Sequence, residues 1–287
     1  MVEVLQGDCL ELLDSFEENR FALTFLDPPF NQGKDYAYFD DDQPEWAYWD
    51  WLGQVCAKVH RCTQPGGAIY FMQREKNAEF VLRTLRETGW TLQNLIIWQK
   101  KTSAVPNQNR FGKQYQIIAF ATKGKPRVFH RLRIDLPPEP GYKQPREEGV
   151  FVTDCWTDIR EMTSGYFAGD EALRDLSGER IHKQQSPVAL LLRILLSSTN
   201  PGDWVLDPFA GTGTTAVVAE QLGRHCVALE IDPNYVEVIR TRLQARRSAD
   251  SILRWYPYYR FTPNLESIWQ VEVTTEWGQG SHVALTA

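Results

Sequence analysis

The sequence predicts an α/β domain built on a mostly parallel β-sheet. Two observations carry this. Short apolar runs of strand length alternate with longer stretches of helical pattern, and glycine or proline marks the boundaries between many of them.

The elements follow in order. A run over Phe21–Leu26 reads as a strand that stops at Asp27-Pro28-Pro29-Phe30, because consecutive prolines fix φ and remove backbone donors. Pro44 to Val59 reads as an aromatic-rich helix, Gly66-Gly67 as a turn, Ala68–Met72 as a strand, and Lys76–Thr88 as a helix closed by Gly89. Strands follow at Leu92–Trp98 and Gln116–Thr122. Lys123 to Gly149 is rich in proline and loses periodicity, which predicts an insertion or recognition loop. Ser186-Pro187 reads as an N-cap and first helical residue, opening an apolar helix to Leu196. A strand at Trp204–Leu206, a glycine-rich turn, a helix over Thr214–Leu222, a strand at Cys226–Glu230 and a helix from Pro233 to Leu243 complete the series. After Arg246 comes an aromatic tail, and no internal repeat is visible.

With 287 residues, 43% of them hydrophobic and 24% charged, the chain suits one large domain with insertions. Its longest apolar stretch, Val188–Leu196, is interrupted by Arg193 and is too short to span a bilayer, and Met1–Leu13 carries acids where a signal peptide carries bases. A cytoplasmic protein without a membrane partner is expected. Cys9, Cys56, Cys62, Cys155 and Cys226 show no zinc spacing; they read as reduced, mostly buried thiols, and no metal site is expected.

A net charge of −6 argues by itself against a polyanion partner. Its distribution argues otherwise: Gln99 to Arg146 holds eleven basic residues against two acidic ones, Asp135 and Glu139. This stretch is either one face of a DNA groove or a solvated surface segment.

Two constellations carry chemistry. The first is Asp207-Pro208-Phe209-Ala210-Gly211-Thr212-Gly213-Thr214-Thr215, set between a strand and a helix, with Glu230 ending the next strand. Glycines at 211 and 213 let backbone approach a ligand, and an acid at the following strand end can accept two ribose hydroxyls. The series predicts an adenosine-containing cofactor. The second is Asp27-Pro28-Pro29-Phe30. An aromatic amine is a poor nucleophile because its lone pair is delocalised, so a catalyst must place acceptors on its two N–H bonds. The Asp27 carboxylate and the Pro28 carbonyl can be those acceptors, Pro29 holds the turn, and the Phe30 ring can stack on a base swung out of a duplex.

Asp27 to Tyr36 resembles the catalytic motif of DNA amino-methyltransferases, and Asp207 to Thr215 resembles their S-adenosylmethionine motif. Catalytic motif before cofactor motif is the order of the permuted beta class. The resemblance covers about Leu5 to Leu243. It implies a Rossmann-like S-adenosylmethionine-dependent methyltransferase fold with a mostly parallel seven-stranded sheet, circularly permuted motif order and a small recognition insertion. It further implies cofactor contacts from Asp8 and Cys9 in Gly7-Asp8-Cys9-Leu10, from His182, Gln185 and Pro187 in the helix start His182-Lys183-Gln184-Gln185-Ser186-Pro187, and from Asp207, Pro208, Phe209, Gly211, Gly213, Thr214, Thr215 and Glu230. Asp158 to Glu171, with Gly165-Tyr166-Phe167-Ala168, is similar to the family's region before that helix start. The position before the proline is usually lysine and here is Ser186, and the family's His-Glu ahead of a strand is here Gln114-Tyr115, so none of these three is assigned a role.

The implied activity is transfer of a methyl group from S-adenosylmethionine to the exocyclic amine of a flipped base in double-stranded DNA, with adenine N6 favoured over cytosine N4. Expected DNA contacts are Lys34, Lys100, Lys101, Arg110, Lys113, Arg127, Arg131 and Arg133. A thiolate mechanism at cytosine C5 is disfavoured because no Pro-Cys dipeptide occurs, and Cys155 reads as a buried structural thiol. The expected organisation is a catalytic domain over 1–245, with a catalytic half at 1–122, an irregular DNA-recognition region at about 99–181 and a cofactor half at 182–245, followed by a C-terminal extension at 246–287.

Other readings compete. Gly211-x-Gly213-x-x-Ala216 also satisfies the fingerprint of an NAD-dependent dehydrogenase, but only about 70 residues follow Ala216, too few for a second mononucleotide half. A non-catalytic nucleic-acid-binding domain would leave both motifs unexplained. The tail residues Trp255, Tyr256, Tyr258, Tyr259 and Phe261 are either a homodimer contact or additional core, and a cognate restriction endonuclease stays open as a partner.

Overall fold

The computed structural model describes residues 1–101, 108–136, 147–162, 169–175, 177–182 and 184–270. Gly165 to Ala168, Lys143, Arg146 and Lys183 therefore lie outside the described residues.

The first part of the chain contains β1 (Val2–Gln6), α1 (Cys9–Asp14), β2 (Phe21–Leu26), a small hairpin of β3 (Asp35–Tyr36) and β4 (Phe39–Asp40), α2 (Glu45–Cys62), β5 (Thr63–Arg74), α3 (Ala78–Glu87), β6 (Thr91–Gln99) and β7 (Tyr115–Thr122). The second part contains β8 (Arg133–Ile134), β9 (Val150–Phe151), β10 (Cys155–Trp156), α4 (Val188–Ser198), β11 (Trp204–Asp207), α5 (Thr214–Gln221), β12 (His225–Glu230), α6 (Pro233–Gln244), α7 (Tyr256–Tyr259) and α8 (Leu265–Ile268).

Eight strands form one sheet in the order β1-β12-β11-β2-β5-β7-β6-β10. All neighbouring pairs are parallel except those of β7, which runs against both β5 and β6. The sheet thus has one strand more than expected: the two-residue β10, whose Trp156 pairs with Trp98 of β6, is too short for any periodicity to announce it. Gly66-Gly67 is not a turn between elements. Gly66 takes φ 75° inside β5, where the register to β2 shifts between Phe21 and Leu23, so the pair forms an irregularity in a longer strand.

Alternation along the strands feeds two cores. Ala68, Tyr70 and Met72 of β5 join Val205, Cys226 and Ala228 beneath α4 and α5, while Ile69 and Phe71 join Leu206, Val227 and Leu229 beneath α1, α2 and α3. Every residue of α4 is buried. Its outer face is covered by the tail, since Ile252, Tyr259, Leu265, Ile268 and Trp269 belong to the same core. Arg193 is tolerated inside this helix because its guanidinium pairs with Asp158 and donates to the Tyr259 hydroxyl. The tail aromatics therefore pack within their own chain as far as Trp269. Part of the segment read as a loop does likewise: Leu132 and Ile134 are buried, and β8 pairs with β9.

Candidate active site

The ends of β1, β2, β11 and β12 meet along one edge of the sheet. Because these strands are parallel, the residues just beyond them converge: Gly7-Asp8, Asp27-Pro28, Asp207 to Thr212, and Glu230. They line a cavity of about 400 Å³, within the range of small-ligand sites. The β3–β4 hairpin closes one side with Tyr36, Tyr38 and Phe39, and α2 adds Trp51, which lies 4.9 Å from Phe39 and 5.6 Å from Phe209 between ring centroids. A second cavity of about 380 Å³, lined by Phe30, Met72, Arg74, Trp98, Lys100 and Lys113 among others, adjoins the first. Asp27, Gln184, Gln185 and Ser186 line both.

Asp27 follows β2 directly. Burial and the nearby Asp207 carboxylate push its pKa up to about 8, against the hydrogen bond from Ser186 Oγ at 3.2 Å and the charges of Lys100 and Lys34. Among the described residues the Pro28 carbonyl accepts no hydrogen bond, whereas the Pro29 carbonyl accepts one from the Tyr48 hydroxyl at 2.5 Å. The loop beyond is held by Asp41, a buried carboxylate that accepts from the backbone N–H groups of Asn31, Gln32 and Lys34 at 2.7, 3.2 and 3.0 Å. Tyr36 ends the stretch that resembles the catalytic motif and Trp51 falls in the aromatic-rich helix read over Pro44 to Val59, but neither was assigned a role, and nothing in the sequence pointed to Asp41 or Tyr38.

On the other side, Asp207 accepts from Phe209 N at 3.1 Å and from Thr215 Oγ1 at 2.5 Å, and burial raises its pKa to about 6. Glu230 is raised to about 7 by burial, although Asp232 N and Gly211 N donate to its two oxygens at 2.9 and 2.7 Å. Asp8 caps α1 through Leu10 N at 2.7 Å and still lines the cavity with Cys9, whose thiol burial pushes up to about 12. His182 stacks edge-on to Tyr235 and, driven first by burial and then by Arg180 and Lys34, falls to about 4.

Several expected residues are placed differently. Gly213 does not line the cavity: a Cβ there would meet Ile239 of α6 at 2.8 Å, so this glycine, at φ 78°, permits helix packing. Gly211 faces the cavity, where a Cβ would have His182 Nε2 at 3.8 Å as its nearest neighbour. Pro187 is the N-cap of α4 and does not line the cavity, and Ser186 bonds Asp27 instead of capping the helix; the Val188 N–H is taken by Glu171. Gln185 is buried in bonds to Leu173 N and the Glu171 carbonyl, which orient the segment carrying Ser186.

The basic stretch divides. Lys100 and Lys113 line the second cavity, and Lys34 lies close enough to Asp27 to act on its charge. Lys101 and Arg110 are exposed near that edge, Lys101 donating its backbone N–H to Glu161. Arg127 is at the opposite edge, paired with Asp203 ahead of β11, because β7 runs antiparallel and carries the chain away from the site. Arg131 and Arg133 lie over the Phe151 ring, with Arg133 also donating to the Glu148 carbonyl. Cys155 is exposed, contrary to expectation, since β10 is an edge strand and places it on the outer side.

Buried carboxylates around one cavity, with raised pKa values, fit a cationic ligand and oppose the diphosphate of a dinucleotide. Comparison with known proteins agrees with this. A family model described as DNA methylase, N6_N4_Mtase, matches residues 21–241. The chain is 32% identical over 259 residues to the DNA adenine methyltransferase YhdJ of Escherichia coli (strain K12), covering 84% of this chain and 82% of that protein. It is 30% identical to the type II methyltransferase M.BamHI of Bacillus amyloliquefaciens, over 88% of this chain and 59% of that longer protein. The fold resembles the cytosine-N4-specific PvuII DNA methyltransferase, with TM-score 0.61, 20% identity and coverage of 87% and 88% of the two chains. It also resembles M1.HpyAVI in complex with SAM, with TM-score 0.57, 20% identity and coverage of 85% and 100%. The dehydrogenase reading falls with these matches, and the chain belongs to the N6/N4 family of DNA methylases.

Proposed function

We propose that this DNA methylase transfers a methyl group from S-adenosylmethionine to the N6 amine of adenine in double-stranded DNA. The observation that carries the reading is the position of Asp27 in the wall shared by two cavities. One cavity, with Asp8, Asp207 and Glu230, offers carboxylates to a ligand bearing a sulfonium and an ammonium group; the other, with Phe30, Trp98 and Lys100, offers a flat apolar wall and cations to a nucleotide. When bound, S-adenosylmethionine supplies an electrophilic methyl group.

The chain's residues do the rest. Asp27 and the Pro28 carbonyl accept the two amine N–H bonds and leave the nitrogen lone pair aimed across the wall. As nitrogen gains positive charge, a carboxylate already fixed by Ser186 stabilises it without reorganisation, and the surplus amine proton then leaves to water. Glu230 has backbone donors on both oxygens, which orients its remaining lone pairs toward the cavity for ribose hydroxyls. Lys100 and Lys113 line the nucleotide side, Lys113 paired there with Glu75 at 2.5 Å, and Lys34 lies near Asp27, where phosphate oxygens need donors. The adenine preference is supported by the YhdJ relative, named an adenine methyltransferase.

Incubating the purified protein with labelled S-adenosylmethionine and unmethylated duplex DNA tests the reading. Label enters DNA with the wild type and not with Asp27→Ala; label transfer by both, or by neither, overturns it.

A further inference from the structure

The family match ends at residue 241, yet the residues just beyond it reach back to the site. Asp250 is fully buried and accepts from Arg242 Nη2 at 2.7 Å and from Arg247 Nη2 at 2.8 Å. Arg242, itself buried, donates onward to the Thr212 carbonyl at 2.6 Å, and Thr212 lines the cofactor cavity. A second arm runs through Glu171. Arg254 donates to its Oε2 at 2.9 Å, Arg247 Nη2 to its backbone carbonyl at 2.8 Å, and the other carboxylate oxygen takes the Val188 N–H. Gln185 Nε2 donates to the same Glu171 carbonyl at 3.1 Å, one residue before Ser186, whose hydroxyl holds Asp27.

The two arms meet at Arg247, which touches Asp250 and Glu171 together. One arm ends on the glycine-rich loop, the other on the strip of residues 184–186 that lines both cavities. Charged hydrogen bonds in a buried setting are directional and costly to break, so they fix the separation of the segments they join.

We propose that the segment from Arg247 to Arg254 is a clamp that sets the spacing between the Thr212 loop and the Gln185-Ser186 strip, making these arginines positioning residues for cofactor and for Asp27. The inference rests on the reading of the first cavity as the cofactor site. It assigns the post-family segment a role in the reaction in addition to covering α4.

The test uses the full chain carrying Arg247→Gln and Arg254→Gln together. Both side chains are about one-third exposed, at 31% and 37%, so the fold can survive their loss, and circular dichroism verifies it. Titration calorimetry with S-adenosylmethionine is expected to show Kd raised about tenfold, equivalent to 1.4 kcal/mol, with kcat lowered at saturating cofactor. Arg254→Lys, which keeps a donor for Glu171, should bind nearly as the wild type does. A double variant with lowered Tm but unchanged Kd and kcat overturns the clamp and leaves only a packing role. Absence of binding by the wild type overturns the cofactor reading instead.

Discussion

Ser186 Oγ donates to Asp27 Oδ2 at 3.2 Å, joining the end of β2 to the segment before α4 across 159 positions of sequence. The bond fixes one oxygen of a carboxylate that stands between two cavities and leaves the other free to act.

Replacing Asp27 with Asn keeps the shape and exchanges an acceptor for a donor. Loss of a group aimed at a developing charge costs roughly 10²–10³ in rate. Single-turnover kinetics at saturating cofactor should show at least that loss, with Kd for S-adenosylmethionine changed little. A variant that binds cofactor poorly and reacts normally once saturated contradicts the assignment.

The pKa of Asp27 makes a prediction about pH. The native protein holds this proton up to about pH 8, while the unfolded chain releases it near the ordinary carboxylate value of about 4. Between those values the native state binds more protons, so the cofactor-free protein loses this contribution to stability as pH rises through the window. Denaturant midpoints measured from pH 5 to pH 8 should fall less steeply in Asp27→Asn than in the wild type. Identical slopes contradict the raised pKa.

Cofactor carries the opposite sign. A cationic ligand favours ionised Asp27, Asp207 and Glu230, whose pKa values are about 8, 6 and 7, so binding should release protons near neutral pH. Calorimetry in two buffers of different ionisation enthalpy reads this directly; proton uptake would contradict it.

The two glycines of the loop should separate. Gly213→Ala drives a methyl group against Ile239 at 2.8 Å and should lower Tm, whereas Gly211→Ala, whose φ of 51° carries only the left-handed cost of about 1–2 kcal/mol, should lose cofactor affinity at a smaller cost in Tm. Thermal unfolding and calorimetry on both proteins decide it. Equal loss of Tm in the two variants contradicts the placement.

DNA contacts should follow the edge of the sheet. Charge removal at Lys34 and Lys113 should flatten the salt dependence of DNA binding by about one unit of log–log slope per lost phosphate contact, while Arg127→Gln, which breaks only the pair with Asp203, should leave the slope unchanged. The reverse pattern would return the groove to the Arg127 side.

Apolar runs and long helical patterns were legible in the sequence, as with β2, β7, α2 and α6, whereas the half-buried β1 and the short α1 were not read. β10 was not, because two residues carry no period, and its strand character comes from pairing with β6. The charge count over Gln99 to Arg146 saw one basic face where β7, by reversing direction, sends Lys113 and Arg127 to opposite edges. Motifs located Asp27, Asp207 and Glu230 because their chemistry is local to a strand end. They could not separate Gly211 from Gly213, since only the approach of Ile239, 26 positions downstream of Gly213, distinguishes a glycine that faces ligand from one that faces a helix.

Methylation of an exocyclic amine directed by Asp27 leaves its record in the identity of the modified nucleoside. DNA methylated by the purified enzyme with labelled cofactor can be digested to nucleosides and the labelled species identified by chromatography and mass. Label is expected in N6-methyladenine. Label in N4-methylcytosine alone would contradict the choice of base, and label in 5-methylcytosine, or in no nucleoside at all, would contradict amine methylation itself.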